Sequence, residues 1–432
     1  MLPNTFDRRD FLKLSAAGIA LAGLPGLAGC ATQPDREPPL DLARRASSPG
    51  NAVNTFSMHP RIKQGAMRDL QRALSEVRRT GGVFSAPSPG VHFARIALLE
   101  VQQQLVVAVI YDRSRRTAIN FLVENGARLE RVLQFCEGYA PGDALDPVKL
   151  NFYRRANRVH NKLFFTAYDT AEDAVRESLS VRENFLGFLR AAEGLVEDHV
   201  PYRFDRFLLE NNVRASASDR ARPKRLPGCI PFQPQLTNTL TMVQTLRQGR
   251  IQRDDLPHSH SRLMSLERRF GPITTYKQFF ELILKEGEFA VRDLHEHPLA
   301  QLHTLHFARV AMIEGDKMLF ESVYDGDFTQ YVLDFGSRVA AEIDALWGLT
   351  EGYPRKGCGG DVTGFIDWMH KGQVNVGDFY SAHGNVTLLQ IQAATKLQKR
   401  LEAFAASGLP VKAPALNAQL REFVIANQAL LG

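Results

Sequence analysis

His92-Phe93-Ala94-Arg95 leads into an apolar run, a turn and Tyr111-Asp112. His306-Phe307-Ala308-Arg309 leads into another apolar run, a turn and Tyr324-Asp325. Downstream, Glu137-Gly138-Tyr139 returns as Glu351-Gly352-Tyr353, and both the first and the last of these pairs lie 214 positions apart, from His92 to His306 and from Glu137 to Glu351. A tetrapeptide and a tripeptide recurring at one offset are hard to reach by chance. The chain therefore reads as a tandem duplication.

Working outward from the first copy, Asn54-Thr55-Phe56-Ser57-Met58 reads as a strand, and Met67, Leu70, Ala73, Leu74 and Val77 give 64–79 a helical stripe. Residues 92–99 and 105–111 are β-rich runs of a buried hairpin. Residues 117–136 return to helical spacing, 163–167 form a strand, and Thr170 with Asp173 resembles a capping pair opening a helix to 189. Strand, helix, strand, strand, helix, strand is the order of the ferredoxin-like split βαβ motif. In the second copy Asn238-Thr239-Leu240-Thr241-Met242 answers Asn54 to Met58, and Asp378-Phe379-Tyr380-Ser381-Ala382-His383 answers Leu163-Phe164-Phe165-Thr166-Ala167-Tyr168. The predicted fold is α+β: two tandem ferredoxin-like βαββαβ units whose four-stranded sheets close into a body of the dimeric α/β barrel type. The first unit is expected over 52–199, an exposed linker over 200–235 and the second unit over 236–432.

With 432 residues, 44% hydrophobic and 23% charged, the chain has ordinary globular composition. A formal charge of +6 is small for this length and is spread along the chain apart from the cluster between Arg220 and Arg225, so nucleic acid is not expected as a partner.

The N-terminus gives an address. Arg8-Arg9-Asp10-Phe11-Leu12-Lys13 resembles the twin-arginine export signal, and 14–29 is an Ala/Gly-rich apolar segment too short to span a bilayer comfortably. Leu27-Ala28-Gly29-Cys30 resembles a bacterial lipobox, in which the cysteine becomes the lipidated first residue of the mature protein. These resemblances imply a signal peptide over 1–30, a flexible Pro/Ser/Arg-rich tether over 31–51, the twin-arginine machinery as a partner, and a membrane anchor at Cys30 on the cell envelope. Cys136, Cys229 and Cys358 then remain for at most one internal disulfide.

Duplication also sorts the residues. What the fold needs is expected in both copies, so His92, His306, Asp112 and Asp325 read as structural, with Asp325-Gly326 as a turn and cap. Arg95 and Arg309 lie in apolar strands and need a carboxylate or carbonyl, expected within their own unit. Arg309 is also a candidate for lining a pocket. The copies differ most between Gly249 and His306, where the second is 30 residues longer, because the first strands are 184 positions apart and the hairpins 214. Into this insertion, 250–303, fall His258, His260, His295, His297 and His303, five of the twelve histidines. Imidazole is the commonest metal ligand and the usual protein ligand of haem iron. Asp254, Asp255 and Arg262 flank His258-Ser259-His260, whereas His295-Glu296-His297 runs into Pro298, so the first pair ranks higher. His160, His370 and His383 read as structural or surface residues. Gly357-Cys358-Gly359-Gly360 reads as a turn, with a thiol nucleophile beside Arg355-Lys356 as the alternative. No GxSxG, P-loop, GxGxxG or HExxH appears.

Two family resemblances follow. Leu305-His306-Phe307-Ala308-Arg309, Leu319-Phe320-Glu321-Ser322-Val323-Tyr324-Asp325-Gly326 and Glu351-Gly352-Tyr353-Pro354 resemble a block found in bacterial proteins of no settled activity. A tandem ferredoxin-like pair behind a twin-arginine signal resembles the dye-decolourising haem peroxidases. That resemblance implies a haem cofactor, with its ligating histidine between the first helix and central strands of the second unit, where His258 and His260 fall. The family's GxxDG motif has no clear counterpart here, which favours the alternative of a non-catalytic lipoprotein that binds a small molecule or serves the envelope structurally.

Overall fold

Alternation along two hairpins sets the layers. In strand β2 (Val91–Leu99), Ala94, Ile96 and Leu98 point to helices on the outside, while Phe93, Ala97 and Leu99 point inward at a second sheet. Strand β8 (Lys317–Asp325) does the same, with Met318, Phe320 and Tyr324 outward and Leu319 and Val323 inward. Side chains on a strand alternate faces, and here both faces are buried, which is why these runs are almost continuously apolar.

The computed structural model describes residues 53–192 and 237–431, apart from 87, 113, 169, 258, 291–296, 385 and 408–412, together with 204, 207, 208, 211 and 213. The signal, Cys30, the tether, Cys229 and most of the expected linker lie outside the described residues. The molecule is α+β, built on two antiparallel sheets. One runs β4-β1-β3-β2-β9, from β1 (Val53–Met58), β3 (Gln104–Asp112), β4 (Arg158–Val159) and β9 (Val376–Ser381) around β2. The other runs β5-β7-β8-β6, from β5 (Asn161–Thr166), β6 (Thr237–Thr245) and β7 (Leu305–Ile313) beside β8.

This arrangement corrects the expectation that each copy keeps its own four strands. β4 pairs with β1 for two residues, Ser57 with Val159 and Met58 with Arg158; the chain then passes His160, and β5 pairs with β7 of the opposite sheet. At the other seam Gln373 bridges Met242 and the N–H of Val374 donates to the carbonyl of Thr241 at 2.9 Å, after which β9 pairs with β2. The expected closed barrel is corrected as well, because ladder bonding across each seam stops after these opening residues and leaves two sheets. Twisted sheets packed face to face diverge at their corners, so a strand bonded to its own sheet at one end lies along the opposite sheet's edge at the other.

Helices cover the outer faces. Against the first sheet lie α1 (Met67–Arg79), α2 (Arg115–Glu124), α3 (Gly126–Leu133) and α4 (Pro147–Ala156). The helix expected over 117–136 is thus two. A Cβ on Gly126 would stand 2.4 Å from the carbonyl oxygen of Ala144, so the second helix begins where only glycine fits. The expected helical α5 spans Glu172–Ala192. The insertion is helical, with α6 (His260–Phe270) and α7 (Tyr276–Ala290) burying Leu263, Leu266, Phe279, Phe280 and Leu284. Over the second sheet also lie α8 (Phe328–Arg338), α9 (Ala340–Trp347), α10 (Gly357–Gly360) and α11 (Val362–Gly372), in a core rich in aromatics such as Phe335, Trp347, Phe365 and Trp368. α5 packs with α12 (Leu388–Ala406) and α13 (Ala413–Ala426) through Val181, Phe185, Leu397, Leu401 and Leu420, and α14 (Gln428–Leu431) ends the chain.

Candidate functional site

The recurring histidines stand at matching irregularities. The β2–β3 register shifts between Val91 and Phe93 and the β7–β8 register between Leu305 and Phe307, so His92 and His306 each occupy a β-bulge, which re-aims a side chain out of the normal alternation. Nε2 of His92 donates to Asp112 Oδ1 at 2.6 Å and Nε2 of His306 to Asp325 Oδ1 at 2.7 Å. The second oxygen of each carboxylate accepts from the start of a helix: Asp112 Oδ2 from the N–H of Glu172 and Asp325 Oδ2 from that of Leu388, both at 2.6 Å. Each His-Asp pair therefore ties the end of a hairpin to the positive end of a long helix. The two clamps differ in their third member. His383 Nε2 lies 3.1 Å from Nδ1 of His92, whereas Nδ1 of His306 and the hydroxyl of Tyr168 are buried without a hydrogen-bond partner. Burial is the main cause that holds the His383 imidazole well below its ordinary pKa. All of these groups are closed off from solvent, which suits fastening more than chemistry.

Between the sheets sits a second polar layer. Arg309 faces Glu321 across β7–β8, while Arg95 faces Ala108 across β2–β3. One carboxylate thus serves two guanidiniums: Arg309 pairs with Glu321 directly, and Arg95 Nε lies 3.5 Å from its other oxygen. Arg95 also donates to Thr239 Oγ1 at 2.7 Å and to the carbonyls of Leu240 and Ser322, and Arg309 donates to Ser57 Oγ at 2.5 Å and Asn161 Oδ1 at 3.0 Å. Arg309 finds its carboxylate, Glu321, within its own unit as expected, whereas the partners of Arg95 all lie across the sandwich, as do Ser57 and Asn161 for Arg309. Burial alone would raise the Glu321 carboxyl, but the charges of Arg309 and Arg95 outweigh it and hold it below its ordinary value.

From this layer a hydrogen-bonded path leads to a cavity. Ser57 Oγ lies 3.1 Å from Nε2 of His59, and His59 lines a cavity of about 370 Å³ at the hairpin end of the β1–β4 seam. Arg61, Gln104, Glu137, Asn157, Arg158, Val159, Ile313 and Glu314 complete most of its wall. Burial first, then the charge of Arg309, against the opposing effect of Glu321, lowers the His59 pKa to about 3, so the ring is neutral. Its Nδ1 is buried with no hydrogen-bond partner, as is Oε1 of Gln104.

Residues 5–25 match the family model of the TAT (twin-arginine translocation) pathway signal sequence. The match covers the stretch read around Arg8 and Arg9, and it indicates export across the cytoplasmic membrane to the envelope. Among the described residues no helix is long and apolar enough to cross a membrane. No curated protein matches the chain. A solved structure that resembles it is that of a Fusobacterium nucleatum subsp. nucleatum protein described as a "putative monooxygenase", at 10% identity and a TM-score of 0.28, covering 78% of this chain and 97% of that one. A likeness at that score carries no argument about this chain.

The histidines of the insertion are not brought together at a site among the described residues. His258 and His295 lie outside them. His260 is exposed on the first turn of α6 and lines neither the large cavity nor the space of about 10 Å³ beside Asp344. His297 is buried, accepts from the N–H of Leu299 at 3.1 Å and is lowered to about 4 by burial, while His303 is exposed. His260 thus stands outside both of these cavities, and the charged wall beside His59 does not suit an apolar macrocycle. Arg309 lines neither of these two cavities but reaches the larger through Ser57 and His59. Cys136 and Cys358 are buried free thiols, each pushed up to about 12 chiefly by burial, which removes Cys358 as a nucleophile.

His59 was not singled out from the sequence, yet a signal existed. At the 184-position offset that aligns Asn54 with Asn238, His59 stands opposite Val243. It belongs to one copy alone, as Glu321 does against Ala108.

Proposed function

We propose that this protein is an exported, lipid-anchored binding protein that holds a small molecule in the cavity beside His59. Its body is read as two ferredoxin-like units, 52–199 and 236–432, joined through 200–235 and exchanging their fourth strands. The observation that carries the reading is the open, polar-walled cleft of about 370 Å³, whose volume falls within the roughly 300–1,000 Å³ usual for small-molecule sites and whose wall brings His59, Arg61, Gln104, Glu137 and Glu314 together. Cys30, closing Leu27-Ala28-Gly29-Cys30, is the attachment to the membrane, so Cys30→Ala is expected to release the protein into the soluble envelope fraction.

The test is a thermal-shift screen of a broad metabolite panel on the exported protein and on Ala156→Trp. Ala156 is an exposed residue at the end of α4 that lines the cavity, and an indole there fills the space without entering the core. Compounds that stabilise the parent and not the variant are expected. Hits indifferent to Ala156→Trp would place binding elsewhere and overturn the reading. Hemin belongs in the panel, because a Soret band lost in His260→Ala would replace this reading with that of a haem oxidoreductase.

A further inference from the structure

We infer that the outer face of α4 docks on an anionic lipid bilayer, with Leu145, Val148 and Phe152 entering the interface and Lys149 and Arg155 meeting lipid phosphates. This surface is separate from any use of the cavity. It leans on the proposed anchor at Cys30 only for holding the body near the membrane.

α4 buries Leu150 and Tyr153 against the first sheet, and the guanidinium of Arg154 lies over the ring of Phe56. Its opposite face carries Val148 and Phe152, four positions apart and therefore side by side, and Leu145 stands just before the helix. These three are 71%, 75% and 53% exposed. Single apolar residues on a surface need no explanation, but several in one stripe do.

The duplication shows that the fold does not ask for this stripe. At the 215-position offset that sets Leu163 against Asp378, the capping Asp146 of α4 meets the capping Asp361 of α11, and buried Leu150 and Tyr153 meet buried Phe365 and Trp368. Opposite Leu145, Val148 and Phe152 stand Gly360, Thr363 and Asp367, all exposed. The two helices agree where they meet their sheets and differ where they face outward. The apolar stripe therefore serves something that the first copy does alone.

Charge and size name the occupant. Lys149 and Arg155 are exposed at the two edges of the stripe, and no acidic residue occurs between Pro147 and Ala156. The carboxylate of Asp146, just before the helix, accepts from the N–H of Val148 at 2.8 Å and of Lys149 at 3.1 Å. Apolar side chains bordered by basic ones suit a helix lying in the headgroup boundary of an anionic bilayer. A helix of this length is about 15 Å long and about 10–12 Å across, so its outer face falls far short of the roughly 800 Å² per partner of a stable protein complex. The matched signal over 5–25 takes the chain across a membrane, and the stretch from Cys30 to Val53 can extend at most about 80 Å, which keeps a bilayer within reach.

The experiment titrates the full exported chain, carrying Cys30→Ala and Phe152→Trp, with vesicles of phosphatidylglycerol and phosphatidylethanolamine while tryptophan emission is followed. Trp347 and Trp368 are buried, so a change reports position 152. A blue shift that saturates at lipid concentrations on the order of millimolar is expected, weak enough to agree with release of Cys30→Ala on fractionation. About tenfold more lipid is expected to be needed after Lys149→Gln with Arg155→Gln, and likewise after Val148→Asp. All three positions are exposed, so these replacements leave the fold intact. No shift with lipid, an equal shift with phosphatidylcholine vesicles, or one unmoved by the substitutions overturns the inference. A shift that grows with protein concentration in the absence of lipid also overturns it, because the face would then belong to a second copy of the chain. If Cys30→Ala leaves the membrane fraction while the tryptophan stays silent, the anchor stands and the docking face falls.

Discussion

Glu321 is the residue on which the inner layer depends. Removing one partner of a buried charge group leaves the others uncompensated, so Glu321→Gln is expected to destabilise by about 3–5 kcal/mol in chemical denaturation. Replacing the whole group with Arg95→Met, Arg309→Met and Glu321→Leu is expected to be close to neutral, because the desolvation of all three charges disappears together. Equal losses in the single and triple variants would show that Glu321 matters by its shape alone. His59 makes a second prediction, in pH. Its folded pKa of about 3 lies below the ordinary value of 6.5, so the unfolded chain binds the proton more readily. The native state is then favoured fully above pH 6.5 and loses that advantage as pH falls toward 3, by about 2 kcal/mol between pH 7.5 and 5. Buried His297, lowered to about 4, acts with the same sign. Urea midpoints measured across that window should flatten in His59→Gln; an unchanged slope would assign the acid sensitivity elsewhere.

At the scale of elements, the unit is the bulged histidine, its aspartate and the helix that the aspartate meets. Asp325→Ala removes the acceptor for His306 and for the N–H of Leu388 together, and is expected to cost roughly 2–4 kcal/mol and to speed amide exchange at the start of α12 more than elsewhere. Uniform exchange along α12 would remove the capping role. These elements also show what the sequence reveals. The repeated HFAR and Tyr-Asp motifs, the two hairpins and the period-two alternation were readable, because each is a local pattern pinned by burial on both faces. The α2–α3 break was not, since Gly126 is required by the approach of Ala144 from a later turn. Neither were the insertion's helices, whose apolar stripe was overshadowed by conspicuous histidines. At the start of α5, beside the local pair Thr170 and Asp173, the N–H of Glu172 donates to Asp112, sixty residues earlier, a contact that no local pattern announces. Of the candidate site, Arg309 is flagged by its apolar strand, but its role depends on Glu321 across its own hairpin and on Ser57 and Asn161 from two distant strands. His59 appears only when the copies are compared position by position, because isolated it is one histidine before a proline.

At the scale of the whole molecule, the exchanged strands make each sheet incomplete without chain from both copies. β5 comes from the first run of elements and completes the second sheet, while β9 comes from the second run and completes the first. The two seams are alike in backbone but not in side chains, with His59 following β1 at one and Val243 within β6 at the other. An assembly of two identical chains around a twofold axis would have to present every group twice, two carboxylates for its two arginines and two imidazoles at its two seams. A single continuous chain is free of that rule. The consequence is one of stoichiometry: because the proposed site beside His59 occurs at one seam and has no counterpart imidazole at the other, its ligand is expected to saturate at a single equivalent per chain in a calorimetric titration.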